Sequence, residues 1–136
     1  METASEFHDI EEMSKRGYFT ILLDENLRGL KSALTDDGFK VVMPHAAMDD
    51  EQIKEEARGW VILTKNTRHF VDDAPRFDYD VIGIEDIKFV DNSPTRTNQT
   101  VQKISQAVRR SRLGTRRGTF LLSIKDNGSY HLQELI

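Results

Sequence analysis

The sequence predicts an α/β fold in three layers, α/β/α, with a mainly parallel central sheet and a C-terminal antiparallel hairpin. Two patterns carry this prediction. Short apolar runs alternate with segments of helical periodicity across short connections, and parallel strands need helical crossovers of that kind. Near the C-terminus, two strand-like runs instead flank Asp126-Asn127-Gly128, a strong hairpin signal. The length agrees, because 136 residues, 38% hydrophobic and 31% charged, suffice for one domain with a real core.

Residues 1–17 read as an N-terminal extension, with Phe7, Ile10 and Met13 spaced for a short peripheral helix, and residues 18–136 as the domain. Residues 18–23 are aromatic and aliphatic and run into Asp24, a buried strand that ends on a carboxylate. Leu27, Leu30 and Leu34 recur at helical spacing, and Gly38 supplies the stop. A second strand spans 39–43 and is closed by Pro44. Asp49 with Gln52 three residues later forms a capping-box pattern, opening a helix through Ile53 and Ala57 that Gly59 ends. The unbroken run 60–64 is a third strand, and 79–84 a fourth that terminates at Glu85 and Asp86. Ser93 and Pro94 suit the N-cap and first residue of a long helix. Its apolar side is Val101, Ile104, Ala107 and Val108, and its other side carries Lys103, Arg109, Arg110 and Arg112. Residues 119–125 and 129–135 complete the hairpin.

The absence of cysteine excludes a disulfide framework, a thiolate zinc cluster and a cysteine nucleophile, and fits a cytoplasmic protein. No apolar run approaches the ~20 residues of a membrane span, and the polar, acidic N-terminus is unlike a signal peptide, so no membrane partner is expected. The net charge of −4 conceals two opposite fields. Residues 1–56 hold 14 acids against 6 Lys and Arg, whereas residues 88–125 hold 9 basic residues and a single acid, Asp91.

Ligands of open parallel sheets bind outside the carboxyl ends of the strands, so the residues just after each strand are the informative ones. These are Asp24, Glu25 and Asn26 after the first strand, Asn66 and His69 after the third, and Glu85 and Asp86 after the fourth. Asp50, in the first turn of the second helix, belongs to the same end. Clustered carboxylates repel one another unless a cation sits among them, and oxygen donors of this hardness suit Mg²⁺ or Mn²⁺. Such a metal activates water for attack on a phosphodiester. Each position also has a purely structural use, since an Asp after a strand caps turns and Asp49 and Asp50 are what a helix N-terminus favours.

Three segments then carry a resemblance: Ile21-Leu22-Leu23-Asp24-Glu25-Asn26-Leu27, Asp49-Asp50-Glu51-Gln52-Ile53, and Ile62-Leu63-Thr64-Lys65-Asn66-Thr67-Arg68-His69-Phe70. In this order they resemble PIN-like domains, most closely the small prokaryotic branch with a Leu-Leu-Asp-Glu-Asn opening, and more distantly VapC-type toxins. The resemblance implies a three-layer α/β/α nuclease using Mg²⁺ or Mn²⁺ to cut RNA, commonly as the toxin of a toxin–antitoxin pair. Residue by residue, Asp24 matches the first metal-binding acid and Asp50 the acid at the helix start. Asn66 stands where this branch usually has Asp, and His69 where it often has a second Asp. Asn66 offers a neutral carbonyl oxygen, which predicts weaker metal binding or greater reliance on Glu85 or Asp86.

The expected catalytic residues are therefore Asp24, Asp50 and Asn66, and the expected metal ligands Asp24, Asp50, Glu85 and Asp86. Glu25, Asn26 and His69 support them: Glu25 points away if the strand continues, Asn26 caps the first helix or orients Asp24, and His69 packs or hydrogen-bonds near the site. His8, His45 and His131 show no metal spacing. RNA contacts are expected from Lys65, Arg68, Arg109, Arg110, Arg112, Arg116 and Arg117, since basic stripes bind phosphate backbones in a salt-dependent way. The same stripe also suits a solvated helix face, an acidic antitoxin segment, or the acidic half of another copy in a homodimer. A catalytically weak module on the same fold, binding nucleic acid or a protein, is the alternative, motivated by the missing acids at Asn66 and His69. A phosphatase-like or response-regulator-like domain fits less well, because no convincing Lys and Ser or Thr set accompanies the acids.

Overall fold

A computed structural model describes residues 20–44, 47–88 and 93–135 of the chain. The expected extension 1–17, Tyr18 and Phe19 of the first strand, and His8 and His45 lie outside the described residues. The strands are β1 (Thr20–Leu23), β2 (Lys40–Val42), β3 (Val61–Thr64), β4 (Asp80–Asp86), β5 (Thr119–Lys125) and β6 (Tyr130–Leu135). They form one six-stranded sheet in the order β2-β1-β3-β4-β5-β6. Every pairing is parallel except the last, where β5 and β6 form the antiparallel C-terminal hairpin.

Among the described residues five helices flank the sheet: α1 (Lys31–Asp36), α2 (Asp50–Glu56), α3 (Thr67–Val71), α4 (Ala74–Phe77) and α5 (Pro94–Ser111). The Leu27/Leu30/Leu34 segment begins as a 3-10 turn, Glu25–Leu30, before continuing as α1, and Gly38 leaves it at φ 102°, where a side chain would be strained. The expected capping box opens α2, with Asp49 and Gln52 exchanging 2.9 Å hydrogen bonds. The short helices α3 and α4 went unread in the sequence, because two apolar-facing turns interrupted by Asp72 and Asp73 have too little length to show a period.

Alternation along the strands builds two cores. Ile21, Leu23, Val61, Leu63, Ile82, Ile84, Leu122 and Ile124 face the 3-10 turn, α1 and α5. Leu22, Ile62 and Val81 face the other way, onto Ala57, Phe70, Ala74 and Phe77 from the α2 to α4 side. This is a three-layer α/β/α arrangement in which β1 and β3 are buried on both faces, so their carboxyl ends rest on packed core from both sides. No helix among the described residues is long and apolar enough to cross a membrane.

Candidate functional site

At the carboxyl ends of β1 and β3 lies a cleft of about 300 Å³, lined by Asp24, Glu25, Asn26, Asp50, Asn66 and His69 above an apolar floor that includes Leu22, Ile62 and Phe70. Asp24 is the first residue past β1, and its backbone N–H donates to the Leu63 carbonyl at 3.1 Å, fixing it against the end of β3. Its carboxylate is oriented from below: the fully buried Thr64 hydroxyl donates to Oδ2 at 2.8 Å. Thr64 Oγ1 in turn accepts from the Asn66 N–H at 2.9 Å, so one hydroxyl sets both polar residues. Sequence reading placed Thr64 in the strand and missed this role. Its signal is a hydroxyl ending an apolar run, where burial obliges the group to find partners.

Asp24 rather than Asn26 caps the first helical turn. The chain turns helical at Glu25, so the residue before it presents its side chain to the exposed amides, and Asp24 Oδ1 accepts from the Asn26 N–H at 3.4 Å. Glu25 leaves the extended path that would have pointed it away, and pairs with Arg28 at 3.2 Å on the exposed side of that turn.

Asp50 enters the cleft from the first turn of α2 and meets His69 from α3, with Asp50 Oδ2 and His69 Nε2 at 2.5 Å. Both side chains are about half-exposed, which leaves Asp50 accessible from the cleft. The two helices are tied together behind this contact. Lys54, on α2, donates to Asp73 at 2.7 Å and lies over the Phe70 ring at 5.9 Å. That hydrogen bond and charge hold the Asp73 carboxyl below its ordinary pKa. The buried Tyr79 hydroxyl donates to the Phe70 carbonyl and secures α3 from the other end; burial pushes its own pKa well up.

Glu85 and Asp86 do not line the cleft. The fourth strand runs on through both, and Asp86 pairs with Lys125 of β5, so they belong to the sheet rather than to the loop beyond it. Among the described residues no group of three or more His, Asp or Glu is arranged around a common ion position. Lys65 and Arg68 sit beside Asn66 and His69 at the cleft's end of the sheet, whereas the other five expected arginines lie at the opposite end. The polypeptide descends along α5 from the carboxyl side, so its last turn (Arg109, Arg110), Arg112, Arg116 and Arg117 arrive where β5 begins. Arg116 there lines a second cleft with Thr20, Val61 and Asp80, the amino ends of β1, β3 and β4. The length of β1, roughly 13 Å at ~3.3 Å per residue, separates the two ends.

No family model, curated protein or solved structure matches this chain. Its site therefore rests on its own geometry. The carboxylates and carboxamides that line this cleft are hard oxygen donors, and Mg²⁺ commonly binds through one or two carboxylates while keeping several waters. Asp24, Asp50 and Asn66 are the cleft residues that could hold such an ion, and His69 is bonded to the Asp50 carboxylate.

Proposed function

We propose that this chain is a PIN-like, metal-dependent ribonuclease that hydrolyses RNA phosphodiester bonds in the cytoplasm, acting as the toxin of a toxin–antitoxin pair. The observation that carries the reading is the convergence of Asp24, Asp50 and Asn66 on one cleft, from three separate segments, with Thr64 holding two of them in place. Asp24 and Asp50 would hold Mg²⁺ or Mn²⁺, and Asn66 would add a neutral oxygen. When bound, the ion supplies water activation and charge neutralisation at the phosphate. Asp24 and Asp50 create the negative potential that attracts the cation, Thr64 prevents Asp24 from turning away, and Lys65 and Arg68 offer cations to neighbouring phosphates. Glu85 and Asp86 are not needed in this reading.

A second reading has specific support. His69 occupies one oxygen of Asp50, Glu25 pairs with Arg28, and no three acids or histidines among the described residues surround a common ion position, which favours a catalytically weak module that binds nucleic acid or a protein partner. Incubation with single-stranded RNA separates the two. The nuclease reading expects cleavage with Mn²⁺ or Mg²⁺ that EDTA abolishes. Salt-sensitive RNA binding without cleavage, and without heat on Mn²⁺ titration, selects the binding module instead.

A further inference from the structure

We propose that β6 is a self-complementary edge through which two copies of this chain pair antiparallel about a two-fold axis at Leu132, joining their sheets into one. The hydrogen-bond phase of the hairpin carries the argument. Lys125 N–H donates to the Ser129 carbonyl at 2.8 Å, closing the turn, and hydrogen-bonded and non-hydrogen-bonded pairs alternate from there. Ile124 with Tyr130, Leu122 with Leu132 and Phe120 with Glu134 are thus non-hydrogen-bonded pairs. Phe120 confirms this phase, because its N–H points away from β6 and donates to Asp80 at 2.7 Å. The N–H and C=O groups of Tyr130, Leu132 and Glu134 therefore point outward, beyond the last strand of the described sheet.

These outward groups are symmetric about Leu132. In an antiparallel pair that keeps the faces of the two sheets continuous, Leu132 meets Leu132 of the second copy, Tyr130 meets Glu134, and His131 meets Gln133. This register aligns all three outward residues of each strand and forms about six backbone hydrogen bonds. It brings no like charges together. Leucine meets leucine at the axis, and each phenol faces a carboxylate it can donate to, which is the complementarity that cross-strand pairs need. Tyr130 is the exposed large hydrophobic residue among those described. The sheet's other edge is built differently: β2 is three residues long, carries the exposed Lys40 and is followed by Pro44, the usual guards against edge pairing. None of the residues Tyr130 to Leu135 is Lys, Arg or Pro.

Two six-residue strands make a small interface, below about 1,200 Å² of buried surface, so the dimer is concentration-dependent. Sedimentation velocity of the full chain from about 1 to 300 μM, spanning the affinities expected of such contacts, is the test. The weight-average mass is expected to rise from one chain towards two. Leu132→Lys and Leu132→Glu each place like charges at the axis and are expected to weaken association at least about tenfold, while an equimolar mixture of the two re-forms a dimer. Tyr130→Asp tests the same register on an exposed side chain: it sets carboxylate against Glu134 at both ends, and Glu134→Lys in the same chain restores pairing. Wild type that stays a single chain throughout the range overturns the proposal. So does association that Tyr130→Asp leaves unchanged.

Discussion

The two ends of the parallel sheet use their polar residues differently. At the carboxyl end, Asp24 and Asp50 are supported from behind, by Thr64 and by His69, and still face an open cleft of about 300 Å³. At the amino end, a smaller cleft of about 180 Å³ contains Asp78, Asp80 and Arg116, but its best-placed groups are spent on joining elements. Asp80 accepts from the Phe120 N–H, and Arg116 donates from Nε to the Ser111 carbonyl at 2.6 Å and lies over the Phe120 ring. One end leaves its acids facing an open cleft; the other has charges engaged in the fold. The difference follows from topology, since the loops after parallel strands gather at one end while the exit of α5 is delivered to the other.

Five variants sharpen or break this contrast. The largest effect is expected at Gly83, in β4 beneath the start of α3. A Cβ there would lie 2.3 Å from Thr67 Oγ1, so Gly83→Ala must push on Thr67, the first residue of the helix that carries His69. It is expected to cost about 2–3 kcal/mol in denaturant unfolding, as overpacking does, and the cost should shrink when Thr67→Ala is added. An unchanged midpoint would mean that α3 is not pressed against the sheet.

Asp80→Asn probes the amino end. Burial, with Asp78 nearby, pushes the Asp80 carboxyl up to about 6, although the Phe120 N–H partly opposes the shift. Between the ordinary value of about 4 and this one, the folded chain binds more protons than the unfolded chain, so this group's contribution to stability falls as pH rises through that window. Asp80→Asn keeps an oxygen for Phe120 and is expected to gain on the order of 2 kcal/mol at pH 7 while flattening the profile between about pH 4 and 6. Asp73, beside the other cleft, has the opposite sign. Lys54 lowers its pKa, so its contribution is present above about pH 4 and is lost on further acidification, and Asp73→Asn should remove that acid-side slope in thermal melts.

Thr64→Val removes the hydroxyl beneath Asp24 without changing the size of the core side chain, and leaves the cap contact from Asn26 in place. Cleavage is expected to drop about tenfold, the scale on which loss of a supporting hydrogen bond acts on a metal site, with tighter dependence on Mn²⁺ concentration. The smallest effect is expected from Arg110→Ala combined with Arg112→Ala. At the far end of the sheet these should change cleavage less than about twofold while reducing the salt sensitivity of RNA binding.

Much of this architecture was legible in the sequence because it is written in local signals. The apolar runs before Asp24, Lys65 and Glu85 gave the strands, Asp49 with Gln52 gave the start of α2, and Asp126-Asn127-Gly128 gave the hairpin. The convergence of Asp24, Asp50 and Asn66 was also legible, since parallel strands bring their following loops together. What escaped depended on three dimensions. Whether Asp24 or Asn26 caps the turn depends on where extended backbone gives way to helix, a matter of one residue. Glu85 and Asp86 were read as a strand end because charged residues follow an apolar run, yet pairing with β5 extends the strand through them. The arginines formed a conspicuous block along the chain, but a charge count cannot say at which end of a sheet a helix delivers them.

The most direct test of the central claim is single-turnover cleavage of single-stranded RNA with Mn²⁺, comparing wild type, Asp24→Asn and the paired variant Arg110→Ala with Arg112→Ala. If the carboxyl-end cleft is the reaction centre, Asp24→Asn loses at least about 100-fold, as expected for a principal ligand of a catalytic ion, and the arginine variant stays close to wild type. Equal cleavage by wild type and Asp24→Asn, or no cleavage by wild type of any RNA supplied, would contradict it.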